Sequence, residues 1–131
     1  LNTYTFPEEM RFGDPTYAAE IAERYVEFAL HNGTTSMASY CTIHPESVEA
    51  FFTAAADRNM CVVAGKTCMD RNAPDGLRDS AKSAYDDSKA LIERWQSKGR
   101  AHYAIAPRFS PTSTPEQLEA LGALWPQESL S

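Results

Sequence analysis

The run Met60-Cys61-Val62-Val63-Ala64-Gly65-Lys66-Thr67 constrains this chain more than any other stretch. It is nearly continuous in apolar residues, which predicts a strand buried on both faces, as parallel sheets require. Gly65 would mark a close approach within it. A parallel strand needs long crossover connections on either side, and the flanking sequence supplies them as amphipathic helices. Upstream, Val48, Phe51, Phe52, Ala55 and Ala56 form the stripe of a helix packed on one face, opened by His44-Pro45-Glu46 and ended by Asp57 to Asn59. Before it, Thr34 to Thr42 reads as a second buried strand, about eight residues long. Asp14-Pro15 starts an earlier helix, with Ile21, Tyr25, Phe28 and Ala29 at helical spacing, and Asn32-Gly33 closes it. Asn2 to Gly13, punctuated by Pro7, has no sustained period and reads as loop.

Downstream, the polar stretch Met69 to Gly76 leads into a helix from about Arg78 to Lys98, with Ala84, Leu91 and Trp95 on one face and Gly99 as its cap. The apolar run Ala101 to Ala106 predicts a third strand that stops at Pro107, because proline has no N–H for a ladder. Arg108 and Phe109 follow directly, and Thr114-Pro115-Glu116-Gln117 offers a capping box for a last helix. That helix turns Leu118, Leu121 and Trp125 inward, meets Pro126 and leaves a short tail.

Helix and strand thus alternate, which predicts an α/β fold of about three parallel strands with crossover helices. Such a unit suits a small open sheet. The spacing of roughly 26 to 40 residues per strand also matches the roughly 31 residues per βα unit of an eightfold barrel, of which this chain would be a part. In either architecture ligands sit beyond the carboxyl ends of the strands. The loops beginning at Ile43, Cys68 and Pro107 are therefore expected to converge, bringing His44, Asp70, Arg71, Arg108 and Phe109 to one end.

Composition narrows the partners. The 131 residues are 43% apolar and 23% charged, as in one ordinary globular unit. A formal charge of −6, without a basic stripe, argues against nucleic acid and anionic membranes. The start of the chain lacks a basic and apolar leader pattern, and no apolar run approaches the roughly 20 residues of a membrane span. Three cysteines without Cys-x-x-Cys spacing suit free thiols in a reducing, cytoplasmic compartment. The chain lacks an initiator methionine and reads as an excised piece.

Each candidate side chain has two readings. Arg108 offers a permanently charged fork for paired acceptors such as purine O6 and N7, or for a carboxylate; equally it could pair with Asp70 or Asp75. Phe109 could stack on a flat ligand or belong to the core. His44 could serve as ligand, acid or base, but its place before Pro45 favours a helix cap or a supporting hydrogen bond. His31 suits the dipole at a helix end, and His102 a satisfied core position. The three histidines stand 13 and 58 positions apart, so no paired histidine motif for zinc exists within the chain.

Several blocks together resemble one family. They are Asn2-Thr3-Tyr4-Thr5-Phe6-Pro7, Asn32-Gly33-Thr34-Thr35, His44-Pro45-Glu46-Ser47-Val48, Ala64-Gly65-Lys66, Met69-Asp70-Arg71-Asn72-Ala73-Pro74-Asp75, Ser88 to Trp95, and Pro107-Arg108-Phe109-Ser110-Pro111-Thr112-Ser113. Their order and spacing are similar to the zinc-dependent guanine deaminases of the amidohydrolase superfamily, from about residue 2 to 125. The tail from Pro126 departs from the pattern.

The resemblance implies a TIM-like (β/α)8 barrel of which residues 1–131 form part, the second to fourth βα units. It implies a divalent metal, zinc as a rule, that activates water to convert guanine to xanthine and ammonia. It also implies substrate binding by Arg108 and Phe109, with Arg108 aimed at the acceptor edge of the purine and Phe109 against its ring. The metal ligands and the catalytic acid–base residues would lie outside this chain, and the complete enzyme would form a dimer. A metal-free purine-binding module, an assembly domain, and a deaminase of another aminated heterocycle are the alternatives.

Overall fold

The computed structural model describes residues 1–125. Three parallel strand lines carry the molecule. β1 (Ser36–Tyr40) pairs with β2 (Cys61–Gly65), which pairs with β4 (Ala101–Tyr103), and the two lines continue as β3 (Thr67–Cys68) beside β5 (Ala106–Pro107). Val62 faces Ala101 and Thr67 faces Ala106, so the register is unchanged across the break.

Gly65 explains the break. A Cβ placed there would lie 1.8 Å from the Ala104 carbonyl oxygen, so only glycine lets the neighbouring strand pass. The single apolar run is therefore two strands, and Pro107 lies within β5 rather than after the last strand. A proline is tolerated there because the ladder bond at this point is donated by Arg108 N to Cys68 O, at 3.1 Å.

The connections are helical: α2 (Pro15–His31), α3 (Pro45–Asp57), α4 (Ala81–Trp95) and α5 (Pro115–Gly122). Their ends follow local chemistry. Asp14 caps α2 by accepting from Thr16 N at 2.8 Å, and Gly33, at φ +82°, ends it. Ser80 and Ser83 cap α4 reciprocally. Gly99 also has a positive φ, but α4 has ended by Gln96, so it serves the turn into β4.

A first element, α1 (Thr5–Met10), with a 3-10 turn at Arg11–Gly13, occupies the stretch read as loop. Pro7 stands in its first turn, where a missing N–H costs nothing, and Glu8 favours the helix start. A proline that interrupts one pattern can equally stand in the first turn of a helix.

The main core lies between the strands and helices α2 to α4. Val48, Phe51, Phe52, Val62, Ala64, Leu91 and Trp95 are buried together, with Phe52 stacked on Trp95 at 5.3 Å. In α2 the buried face is Ala18, Ala22 and Val26, whereas Tyr25 and Phe28 of the expected stripe are exposed. Small residues win there because α2 lies close against α3. In α5, Leu121 is buried as expected but Leu118 is exposed; the helix ends at Gly122, and in the turn after it Leu124 is buried and Trp125 exposed. The expectations for Pro126 and the tail lie outside the described residues.

The other face of the sheet is bare. Ala38, Val63 and His102 stand in one register row and all are exposed, as is Tyr40 at 79%. β2 is therefore buried on one face only in this chain, β1 is five residues long with none of them buried because it stands at the edge of the sheet, and His102 is not a core residue. Among the described residues no helix is long and apolar enough to cross a membrane.

Candidate functional site

The carboxyl ends of the strands frame a cleft of about 500 Å³, lined by Glu9, Tyr40, Cys41, Thr42, Thr67, Arg108 and Phe109. Thr67 builds its floor. Its N–H donates to Thr42 O at 3.1 Å and its hydroxyl to Cys41 O, tying the end of β1 to β3. A second, apolar cleft of about 450 Å³ runs along β1 between Phe12, Ile21, Tyr25 and Phe51. No charged side chain lines it, so polar recognition belongs to the first.

Arg108 follows β5 and is held there by its backbone bond to Cys68. Its side chain is 27% exposed and takes neither Asp70 nor Asp75 as partner. Instead Nη1 meets Glu9 Oε2 at 3.4 Å and Met69 Sδ at 3.6 Å, with the guanidinium carbon 5.6 Å from the centre of the Phe6 ring. Phe109 has extended backbone and is 52% exposed on the cleft wall, so the core reading fails for it.

The three loops converge, the first through Ile43, which is buried with Met69 and Leu77. Asp70 N donates to Thr112 O at 3.0 Å, Arg71 Nη2 to Ser110 O at 2.6 Å and Asn72 Nδ2 to Pro111 O at 2.6 Å. Asp70 and Arg71 thus fasten the loop that carries Phe109 and are not themselves at the cleft. The Asp70 carboxylate accepts from Thr114 N at 2.8 Å and from the Thr114 hydroxyl. It takes the role that the capping-box reading assigned to Gln117. Thr114 Oγ1 still caps Gln117 N, at 3.2 Å, but the Gln117 side chain is buried and donates 2.6 Å to Asp79 Oδ1.

His44 stands apart. It is the residue before α3, yet its side chain makes no cap bond; its ring packs on Gly13, with Nε2 buried and unpartnered. Burial holds its pKa below the ordinary 6.5, with Glu46 pulling up and Lys66 pushing down. His31 is exposed in the last turn of α2, as its dipole reading allows. Among the described residues no three potential ligands come together to hold a metal ion. The three cysteines are free, and burial pushes the Cys41 thiol up to about 12 and the Cys68 thiol up to about 11. Both stay protonated and offer no nucleophile.

A family model described as the amidohydrolase family matches residues 4–124. The chain belongs to the amidohydrolase family. As an amidohydrolase it is 53% identical over 118 residues to the guanine deaminase of Escherichia coli K12, covering 90% of this chain and 27% of that one. Among solved structures, E. coli guanine deaminase superposes with a TM-score of 0.92 at 50% identity, over 94% of this chain and 28% of that one. Guanine deaminase from C. acetobutylicum, solved with guanine bound in its active site, gives 0.94 at 32% identity, over 99% and 31%. The amidohydrolase chain thus spans little more than a quarter of the curated relative's length. Its α/β architecture is that of a partial (β/α)8 barrel, which accounts for the bare sheet face: in a closed barrel that face lines the interior.

Glu9 is the cleft residue that sequence reasoning missed. The pair Glu8-Glu9 following Thr5-Phe6-Pro7 carried a usable signal, since acidic residues after an early proline mark a helix start.

Proposed function

We propose that this amidohydrolase chain is part of a guanine deaminase, hydrolysing guanine to xanthine and ammonia, and that its share of the active site is a purine pocket built on Arg108 and Phe109. The observation that carries this reading is the cleft itself: a cation whose Nη2 and Nε donors have no partner among the described residues, beside a half-exposed aromatic ring, at the carboxyl ends of the strands. The similarity to the guanine deaminases supports the choice of purine.

The chemistry of the ligand matches these two groups. Guanine presents two adjacent acceptors, O6 and N7, which a guanidinium can meet with paired donors for about 1–3 kcal/mol of discrimination. Gripping that edge leaves C2, the carbon that loses its amine, on the far side of the six-membered ring. Adenine would turn an amine toward Arg108 in place of O6 and lose one of the two bonds. Phe109 would cover the ring face, a stacking contact of about 1–3 kcal/mol.

Family membership implies a metal cofactor. We take it to be zinc, which would supply activated water. The described residues of this chain do not fit it: His44 is packed on Gly13, His31 and His102 are exposed on separate elements, and the thiols of Cys41 and Cys68 are held protonated by burial. The part of this chain is therefore to bind and orient the purine. We also take the complete enzyme to be a cytoplasmic homodimer of purine breakdown; three free cysteines support the compartment.

The test uses the complete enzyme that carries this segment. Ammonia release from guanine is expected, and Arg108→Ala is expected to raise KM for guanine by roughly 10- to 100-fold. Guanine bound but not turned over would favour a binding module, and an unchanged KM in Arg108→Ala would remove Arg108 from the pocket.

A further inference from the structure

We infer that Glu9 is a positioning residue for Arg108, holding its guanidinium at the cleft so that the remaining donors are presented to the purine. This rests on the reading of Arg108 as the purine-binding residue.

An arginine side chain has several freely rotating bonds, and in an empty cleft something must select the one arrangement useful for binding. Around Arg108 the described residues offer three contacts: the Glu9 carboxylate at 3.4 Å, the Met69 sulfur at 3.6 Å and the Phe6 ring at 5.6 Å. Only Glu9 carries opposite charge. Both hydrogen-bond partners sit on Nη1, which leaves the donors of Nη2 and Nε without a protein partner among the described residues.

Glu9 is itself held in place by its neighbours. Glu8, next to it, is taken by Arg11 at 2.9 Å and by the Tyr17 hydroxyl, which anchors α1 to α2 on the side away from the cleft. Phe6 packs into the cluster of Ile43, Met69 and Leu77 beneath the loops, and Met10 lies against Gly76, where a Cβ would come within 2.8 Å of its sulfur. One short helix therefore brings both the ring beneath the guanidinium and the carboxylate beside it. Glu9 is 24% exposed and Arg108 27%, so their contact is partly shielded from solvent.

The experiment measures guanine kinetics, and guanine affinity by calorimetry where turnover is too slow, for Glu9→Ala, Glu9→Gln, Arg108→Ala and the double variant of the complete enzyme. Glu9→Ala is expected to raise KM about tenfold with kcat nearly unchanged, the loss of one hydrogen bond to a charged group. Glu9→Gln, which keeps an acceptor oxygen and the volume, should recover part of that. In the Arg108→Ala background the Glu9 substitution should add less than about twofold, because two residues acting through one contact are not additive. A KM within about twofold of the parent in Glu9→Ala, while Arg108→Ala raises it, overturns the role of Glu9 alone. Equal increases in both backgrounds also overturn it, since Glu9 would then act independently of Arg108. An unchanged KM in Arg108→Ala overturns the pocket reading, and this inference with it.

Discussion

Two charged groups of this chain sit only a few residues from strand ends, and they are treated in opposite ways. Lys66, between β2 and β3, is 1% exposed and closes onto Asp79, with Asp87 at 4.0 Å. Asp79 in turn accepts from Gln117, so β3, the start of α4 and α5 are joined by one buried polar seam. Burial pushes the Asp79 carboxyl up, against the pull of the Lys66 ammonium. Arg108, one strand over, has one carboxylate, one sulfur and a ring for company, and donors left over. A charge whose partners are used up holds structure; one with donors to spare beside an open cleft can bind. The difference lies in satisfaction, since both are basic side chains on the same end of the sheet.

The largest expected effect comes from breaking the seam. Lys66→Met would strand a nearly buried Asp79 and should cost about 3–5 kcal/mol in the complete enzyme, read as a fall in denaturation midpoint. Arg108→Ala should do the converse: its effect on stability should stay within about 0.5 kcal/mol, since its ion pair is partly exposed, while guanine KM rises. If Lys66→Met proved neutral, or Arg108→Ala strongly destabilising, the contrast would collapse.

A smaller effect sharpens the comparison at the loop that joins the two regions. Thr114→Ala removes the α5 cap and one of the two bonds to Asp70, and should cost about 1–2 kcal/mol in thermal or denaturant unfolding. The smallest effect is a pH dependence. The depressed pKa of His44 means that its contribution to stability is fully present above pH 6.5 and is lost as pH falls through its folded value. Unfolding midpoints of His44→Phe against the parent should differ in slope only below pH 6.5; parallel profiles would mean that His44 is not protected by burial.

Local chemistry was the legible part of this protein. Aspartate and proline at the start of α2, Val48, Phe51, Phe52 and Ala55 of the α3 stripe, Asn32-Gly33 after α2, and the glycine at the closest strand crossing all act within a few residues or through a period, and they appear in the structure where the sequence places them; Ala56 of that stripe is exposed, and Ala54 is buried in its stead. The motif Pro107-Arg108-Phe109 was legible for the same reason, as a strand end followed by a half-buried cation and an exposed ring. The misreadings share a different cause. Phe28 and Leu118 look like core residues by type, yet they are exposed because the neighbouring helix or strand meets another face. Asp70 was read as a cleft residue and instead fastens Thr114. Glu9 and Arg108 are 99 positions apart, and no period or cap links them. By itself the sequence determined the four crossover helices, the parallel order of the strand lines and the charged–aromatic pair that follows the last of them. Which carboxylate meets which cation, and which face of each helix is buried, only the tertiary structure decided, because those choices depend on distances between elements that local propensity does not encode.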